Sequence, residues 1–301
     1  MVFKQEQMPT RLHIRDLTGL DAEVRAIVEL MHPDFDFTFY KRVFSDIVRM
    51  FIGDYEGYRA SNTAYHDLTH TLSVLLATAR LLHGVHLARG PLSERGVLLG
   101  LVCALLHDIG YIMTENDLEG TGAKYTFTHV SRGIEFMDSY FAKNGRPEED
   151  ARDAETIIRT TDLAASVPDI PYSTPEIKTI GQIIGTTDLL AQMGDELYPE
   201  RLGDLHKEFE EGGVPGFDTE FILVRETAAF VTIMDGRLKN ILDDVASSMS
   251  AHFEARWGIN LDIYRTFIEK NIHYLEEIVD EHGPEYHTQL RRNGDRRPPF
   301  V

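Results

Sequence analysis

Several ionisable side chains in this sequence stand where a bland helical protein would place Leu or Ala. His66 and His70 are one helical turn apart in YHDLTHTLSV, His107 and Asp108 close the apolar run ALLHDIGY, and Asp188 lies inside IIGTTDLLAQM. With 13 His in 301 residues, chance alone supplies about half of one His-x-x-x-His pair, so spacing by itself decides nothing. The apolar frame is what matters. An ionisable group carried into a core costs several kcal/mol unless it is paired or bound to a cation, and a single divalent centre would satisfy His70, His107, Asp108 and Asp188 together. Two imidazoles and two carboxylates suit Mg, Mn, Fe or Zn and leave coordination positions open to water, which is what hydrolysis needs.

The elements that must carry these residues read as helices. Apolar side chains recur at helical spacing almost throughout, and no period-2 run of β-branched residues interrupts them. Val24, Ile27, Val28 and Met31 mark one helix ending near Pro33, and Phe39, Val43, Ile47 and Phe51 mark another ending at Gly53. A helix from about Asp67 carries Leu68, Leu72, Leu75 and Leu82, with a break expected over Gly84 to Pro91. VLLGLVCALL is the most apolar stretch and predicts a central helix buried on all sides; it delivers His107 and Asp108. Later helices are expected from Thr128 to Asn144, from Pro147, over Ile177 to Leu190, and, after the break at 212–216, to about Glu281. The reading is an all-α single domain, with residues 1–58 as a helical cap on the same compact unit, 59–285 as the domain proper, and 286–301 as an exposed basic tail.

Composition narrows the classes. Lys+Arg 30 against Asp+Glu 49 gives a net charge of −19, a field that repels nucleic acid and anionic membrane surfaces. Cys103 is the one cysteine, so cysteine zinc clusters and a disulfide framework are excluded, and a reducing cytoplasm is the expected compartment. The N-terminus lacks an apolar signal-type run, and no stretch of about 18 unbroken apolar residues predicts a membrane span.

YHDLTHTLSV (65–74), ALLHDIGY (104–111), TDL (161–163) and TTDLLAQM (186–193), in that order, resemble the HD-domain metal-dependent phosphohydrolases, in particular the catalytic domain of cyclic nucleotide phosphodiesterases. The resemblance covers roughly residues 60 to 195. It implies an HD-type helical bundle in which His70, His107, Asp108 and Asp188 hold one divalent metal and Asp108 reaches a second, so that metal-activated water attacks a phosphoester. It also implies that His66 is the general acid for the leaving oxygen, a role that suits a histidine near neutral pKa. His129 and Asp162 match positions near the second metal or behind the first ligands. The implied substrate is a small phosphodiester such as a 3',5'-cyclic nucleotide, with no nucleic-acid or membrane partner and with room for a homodimer.

The departures weaken the substrate assignment more than the chemistry. Tyr111 stands where the nucleotide phosphodiesterases have a histidine, and Thr126 where they have a glutamate; both are retained as candidates around the second metal. Their purine-binding glutamine has no counterpart near FILVRETAAFVTIMDGRLKN, which offers Glu226 and Thr227. A nucleoside mono- or polyphosphate substrate, an HD-fold di-iron oxygenase and a non-catalytic, metal-stabilised signalling module therefore stay open. Arg225, Arg237 and Lys239 are read as a solvated helix face in preference to an anion site, and the Gly120-Thr121-Gly122 loop as a flexible lid.

Overall fold

The computed structural model describes residues 16–290, and these form an all-α fold with eleven α-helices and no strand. The helices are α1 (Leu17–Met31), α2 (Thr38–Ile52), α3 (Leu68–Ala88), α4 (Glu94–Leu106), α5 (His129–Lys143), α6 (Glu148–Ile158), α7 (Pro175–Met193), α8 (Tyr198–Gly212), α9 (Glu220–Asn240), α10 (Met249–Trp257) and α11 (Ile263–His282). The N-terminal residues read for a signal, up to 15, and the tail from 291 onward lie outside the described residues.

Three helices make the centre, and their starts are written locally. The Asp67 carboxylate accepts the His70 N–H at 2.8 Å, Ser93 Oγ accepts the Gly96 N–H at 3.0 Å, and Thr174 Oγ1 accepts the Ile177 N–H at 3.1 Å ahead of Pro175. Such caps satisfy N–H groups that the first helical turn leaves without partners. α3, α4 and α7 then pack on one another through fully buried Leu72, Leu75, Leu82, Leu101, Ile180, Ile183 and Ile184. Each such side chain contributes about 1.5–3 kcal/mol by leaving water. Polar contact also crosses this interior: the Thr78 and Thr187 hydroxyls are 2.8 Å apart and satisfy each other between α3 and α7. By length and a mean hydropathy of 1.3, α3 could cross a membrane, but 83% of that window is buried within the protein itself.

α1 packs against α3 and α2 against α4, so residues 16–58 of the expected cap share the main core. Two boundaries differ from the sequence reading. α3 does not break at Gly84 but runs on to Ala88; a Cβ at Gly84 would lie 2.2 Å from the Ser248 carbonyl oxygen. That glycine admits a neighbouring backbone instead of ending the helix. Of the described part of the tail expected to be exposed from 286, His287, Thr288 and Gln289 are exposed, but Tyr286 is buried, with its hydroxyl donating to Glu220, and Leu290 is also covered.

Candidate metal centre and its flanking histidines

α3, α4 and α7 each bring a ligand type to one place. His70 lies in the first turn of α3, His107 caps the C-terminus of α4 with Asp108 next to it, and Asp188 lies in the last third of α7. Ligand atoms of His70, His107 and Asp108 all fall within 4.8 Å of one another. Asp108 Oδ2 is 3.1 Å from His107 Nε2 and 3.4 Å from His70 Nε2. Asp188 Oδ1 closes the group at 3.2 Å from His70 Nε2 and 3.7 Å from His107 Nε2. Four separate sequence expectations thus meet at one point.

The hydrogen bonding around this group leaves a place for a cation. His107 Nδ1–H donates to the Ala104 carbonyl at 2.9 Å, so in the neutral ring Nε2 carries the lone pair. That nitrogen lies 3.3 Å from His70 Nε2. Two imidazole nitrogens and two carboxylate oxygens at such distances need positive charge among them, either a proton or a metal ion. Asp108 Oδ2 is buried and has no partner with hydrogen-bond geometry, despite the nearby nitrogens. The residues therefore fit a divalent ion. Without one, burial opposes charge on His107, but Asp108 and Asp188 outweigh it and push the ring up to about 9. Burial likewise works against ionisation of Asp108, and His107, His66 and His70 overcome it, holding the carboxyl well below its ordinary value.

His129 approaches from the other edge. It is the first residue of α5, its Nδ1–H donates to the Thr126 carbonyl at 2.7 Å, and its Nε2 stands 3.8 Å from Asp108 Oδ1. A tight contact makes this possible: a Cβ at Gly110 would sit 1.9 Å from the His129 carbonyl oxygen, so only glycine lets the turn after Asp108 (Ile109–Tyr111) touch the start of α5. Tyr111, ending that turn, stacks on His66 with ring centroids 4.6 Å apart and on His129 at 4.4 Å, both at an interplanar angle of 14°.

His66 is not drawn into the four-residue group. Its Nδ1–H donates to Glu208 Oε2 at 2.5 Å, while Glu208 Oε1 accepts the N–H groups of Tyr65 at 2.5 Å and of His66 at 3.3 Å. Burial opposes protonation of His66, but Glu208, Asp108 and Asp188 outweigh it and raise its pKa to about 9. Sequence reading missed Glu208, which sits among the several acids of α8. The available signal was register: Leu202, Leu205 and Glu208 follow at intervals of three and are all buried, so the acid lies on the core face.

The remaining candidates are placed less centrally. Thr126 Oγ1 donates to the Ala123 carbonyl at 2.7 Å. Asp162 caps its own turn, accepting the Ala164 N–H at 2.8 Å, and none of its described hydrogen bonds or ion pairs reaches the four-residue group. Arg225 is exposed and pairs with Glu226, whereas Arg237, expected on a solvated face, is buried and donates to the carbonyls of Thr160 and Asp162. The Gly120–Gly122 loop expected to be a lid is tied down: Glu211 accepts from Thr121 N and Oγ1, both at 2.5 Å, and Asn62 accepts the Gly122 N–H at 2.9 Å.

Comparison with known proteins adds one finding. Residues 24–117 match a protein-family model described as Npun_R2479-like. That span takes in His66, His70, His107, Asp108 and Tyr111 but ends before His129, Asp188 and Glu208. No curated protein and no solved structure matches the chain.

Proposed function

We propose that this protein is a metal-dependent phosphohydrolase of the HD-domain kind, acting on a small phosphodiester such as a cyclic nucleotide. The observation that carries the reading is the meeting of His70, His107, Asp108 and Asp188 beside a histidine whose Nδ1 is already committed to Glu208. His70, His107, Asp108 and Asp188 would hold a divalent ion, and His129 at the Asp108 Oδ1 edge would help to hold a second. When bound, such ions polarise a phosphoryl oxygen and lower the pKa of water.

The chain's own groups then divide the remaining work. With Nδ1–H donated to Glu208, His66 has Nε2 as its remaining ring nitrogen, and a proton there can pass to the departing alkoxide as the P–O bond breaks. Glu208 holds the ring and favours its protonated form, as a carboxylate beside a histidine does. Tyr111 and His129 cover His66 on one face and keep bulk water from that side. A cytoplasmic setting fits a protein with one buried thiol, Cys103.

The test is metal analysis of the purified chain together with hydrolysis of bis-p-nitrophenyl phosphate and a set of cyclic nucleotides, mononucleotides and dinucleotides. Expected is a stoichiometric divalent metal and phosphodiester cleavage, with both lost in His107→Ala and Asp108→Ala. Full hydrolysis in either variant would contradict the assignment. His129 so near Asp108 also favours a second reading, a di-iron oxygenase; iron-dependent oxygen consumption without phosphoester cleavage would select it, and activity with Mg or Mn under anaerobic conditions would dismiss it.

A further inference from the structure

Tyr111 occupies a position unlike any other ring near the site. It is buried, it ends the turn that begins at Asp108, and its N–H donates to the Asp108 carbonyl at 3.0 Å. Its two faces are taken by His66 and His129, which stack on it at the same angle of 14°. The outer rings are each fixed a second time at Nδ1, His66 by Glu208 and His129 by the Thr126 carbonyl. A hydrogen bond at one nitrogen fixes where an imidazole is anchored but still allows it to swing about that bond, whereas a flat surface on one face removes that freedom. Each outer ring has both constraints, and both present Nε2 as the remaining nitrogen.

We propose that Tyr111 is a positioning residue for proton transfer: as the middle ring of a His66–Tyr111–His129 column, it holds the proton-donating imidazole in fixed register with the turn that carries Asp108. Resting on the hydrolase reading, this goes beyond it by giving a role to a side chain outside the four-residue group. A tyrosine suits the place for a reason of charge. Between two imidazoles, a third basic ring would add a like charge and disfavour protonation of its neighbours, while a phenol stays neutral. The flat ring is therefore the required feature.

The experiment compares wild type, Tyr111→Phe, Tyr111→Met and Tyr111→Leu as full-length, metal-loaded protein on two esters, bis-p-nitrophenyl phosphate and diphenyl phosphate. The nitrophenolate leaves without a proton, and the phenolate leaves better with one. Expected for Met and Leu is a loss of kcat on the diphenyl ester at least about tenfold larger than on the nitrophenyl ester, with KM little changed, and near-complete rescue in Phe. Equal losses on both esters, or a Phe variant as impaired as Leu, would overturn the clamp while leaving the hydrolase reading intact. Absence of hydrolysis of either ester by wild type would instead overturn that reading, and the proton-transfer role with it. Melting curves and the ring-current shift of the His66 ring proton in NMR spectra check that each variant folds and that the stack is kept in Phe and lost in Met; an unchanged shift in Met would also overturn the clamp.

Discussion

Glu208 holds His66 twice. One carboxylate oxygen receives the ring Nδ1–H at 2.5 Å, and the other receives the backbone N–H of His66 itself along with that of Tyr65. Residues 142 apart in sequence are thereby joined into one unit, and α8 becomes the element that sets the ring at the entrance of α3. The side chain of Glu208 is 4% exposed and that of His66 16%, so the pair is largely shielded from solvent screening.

Removing the carboxylate should therefore be felt in both stability and rate. Glu208→Ala leaves three donors without their acceptor and breaks a buried pair, an expected loss of about 3–5 kcal/mol, measurable by urea unfolding. Glu208→Gln keeps an acceptor but not the charge. Since Glu208 is the chief partner raising His66 to about 9 against its burial, the Gln variant should protonate His66 less readily. A general acid works below its pKa, so the alkaline limb of the kcat/KM profile should move to lower pH. An unmoved limb would argue that another group supplies the proton.

Metal addition offers a test independent of turnover. Binding to the folded chain alone stabilises it by about 2.7 kcal/mol when the free ion reaches a hundred times its Kd. Mn or Zn added to metal-stripped protein should thus raise the melting temperature of wild type, and of Asp162→Asn equally, because Asp162 caps its own turn. The rise should vanish in His107→Ala and Asp108→Ala. A rise retained in both would place the ion elsewhere.

Gly110→Ala probes the contact that brings His129 in. The new methyl would meet the His129 carbonyl oxygen at 1.9 Å, which the backbone can relieve only by moving apart. Overpacking of this kind costs about 1–3 kcal/mol. The expected signature is a destabilised protein in which first-metal affinity survives and binding of a second equivalent weakens, read by titration calorimetry. If both equivalents bind as in wild type, His129 does not contribute.

Far from the site, His83 and His252 share a hydrogen bond between their Nδ1 atoms at 3.0 Å where α3 meets α10. Burial pushes His83 down to about 4, with His86 and Arg256 adding to it, and His252 down to about 2, with Arg80, His83 and Arg256 adding to it. In the unfolded chain both return to about 6.5, so between about pH 6.5 and 4 that state binds protons which the folded state refuses. Stability should be full above pH 6.5 and decline as the pH falls through this window. A His83→Leu, His252→Phe double variant should show a shallower decline between pH 7 and 5; an identical slope would assign the acid sensitivity to other groups.

The helical class, the apolar central helix before His107 and the identity of four candidate ligands could all be read from the chain, because each is a local matter. Period, capping residues and an ionisable side chain in an apolar run all lie within one turn or two of sequence. What tertiary packing alone decided is which of these residues meet, and on what terms. Glu208 looks like any other acid of α8 until Leu202 and Leu205 turn its face inward, and Gly84 reads as a break until Ser248 is found against it. Arg237 reads as solvated until the carbonyls of Thr160 and Asp162 are seen to receive it, and Tyr111 reads as a departure until its two histidine neighbours are in place. The physical reason is common to all four. Whether a polar group is buried, and whether a glycine is a hinge or a contact, depends on atoms contributed by helices distant in sequence, and pattern along one helix carries no information about them.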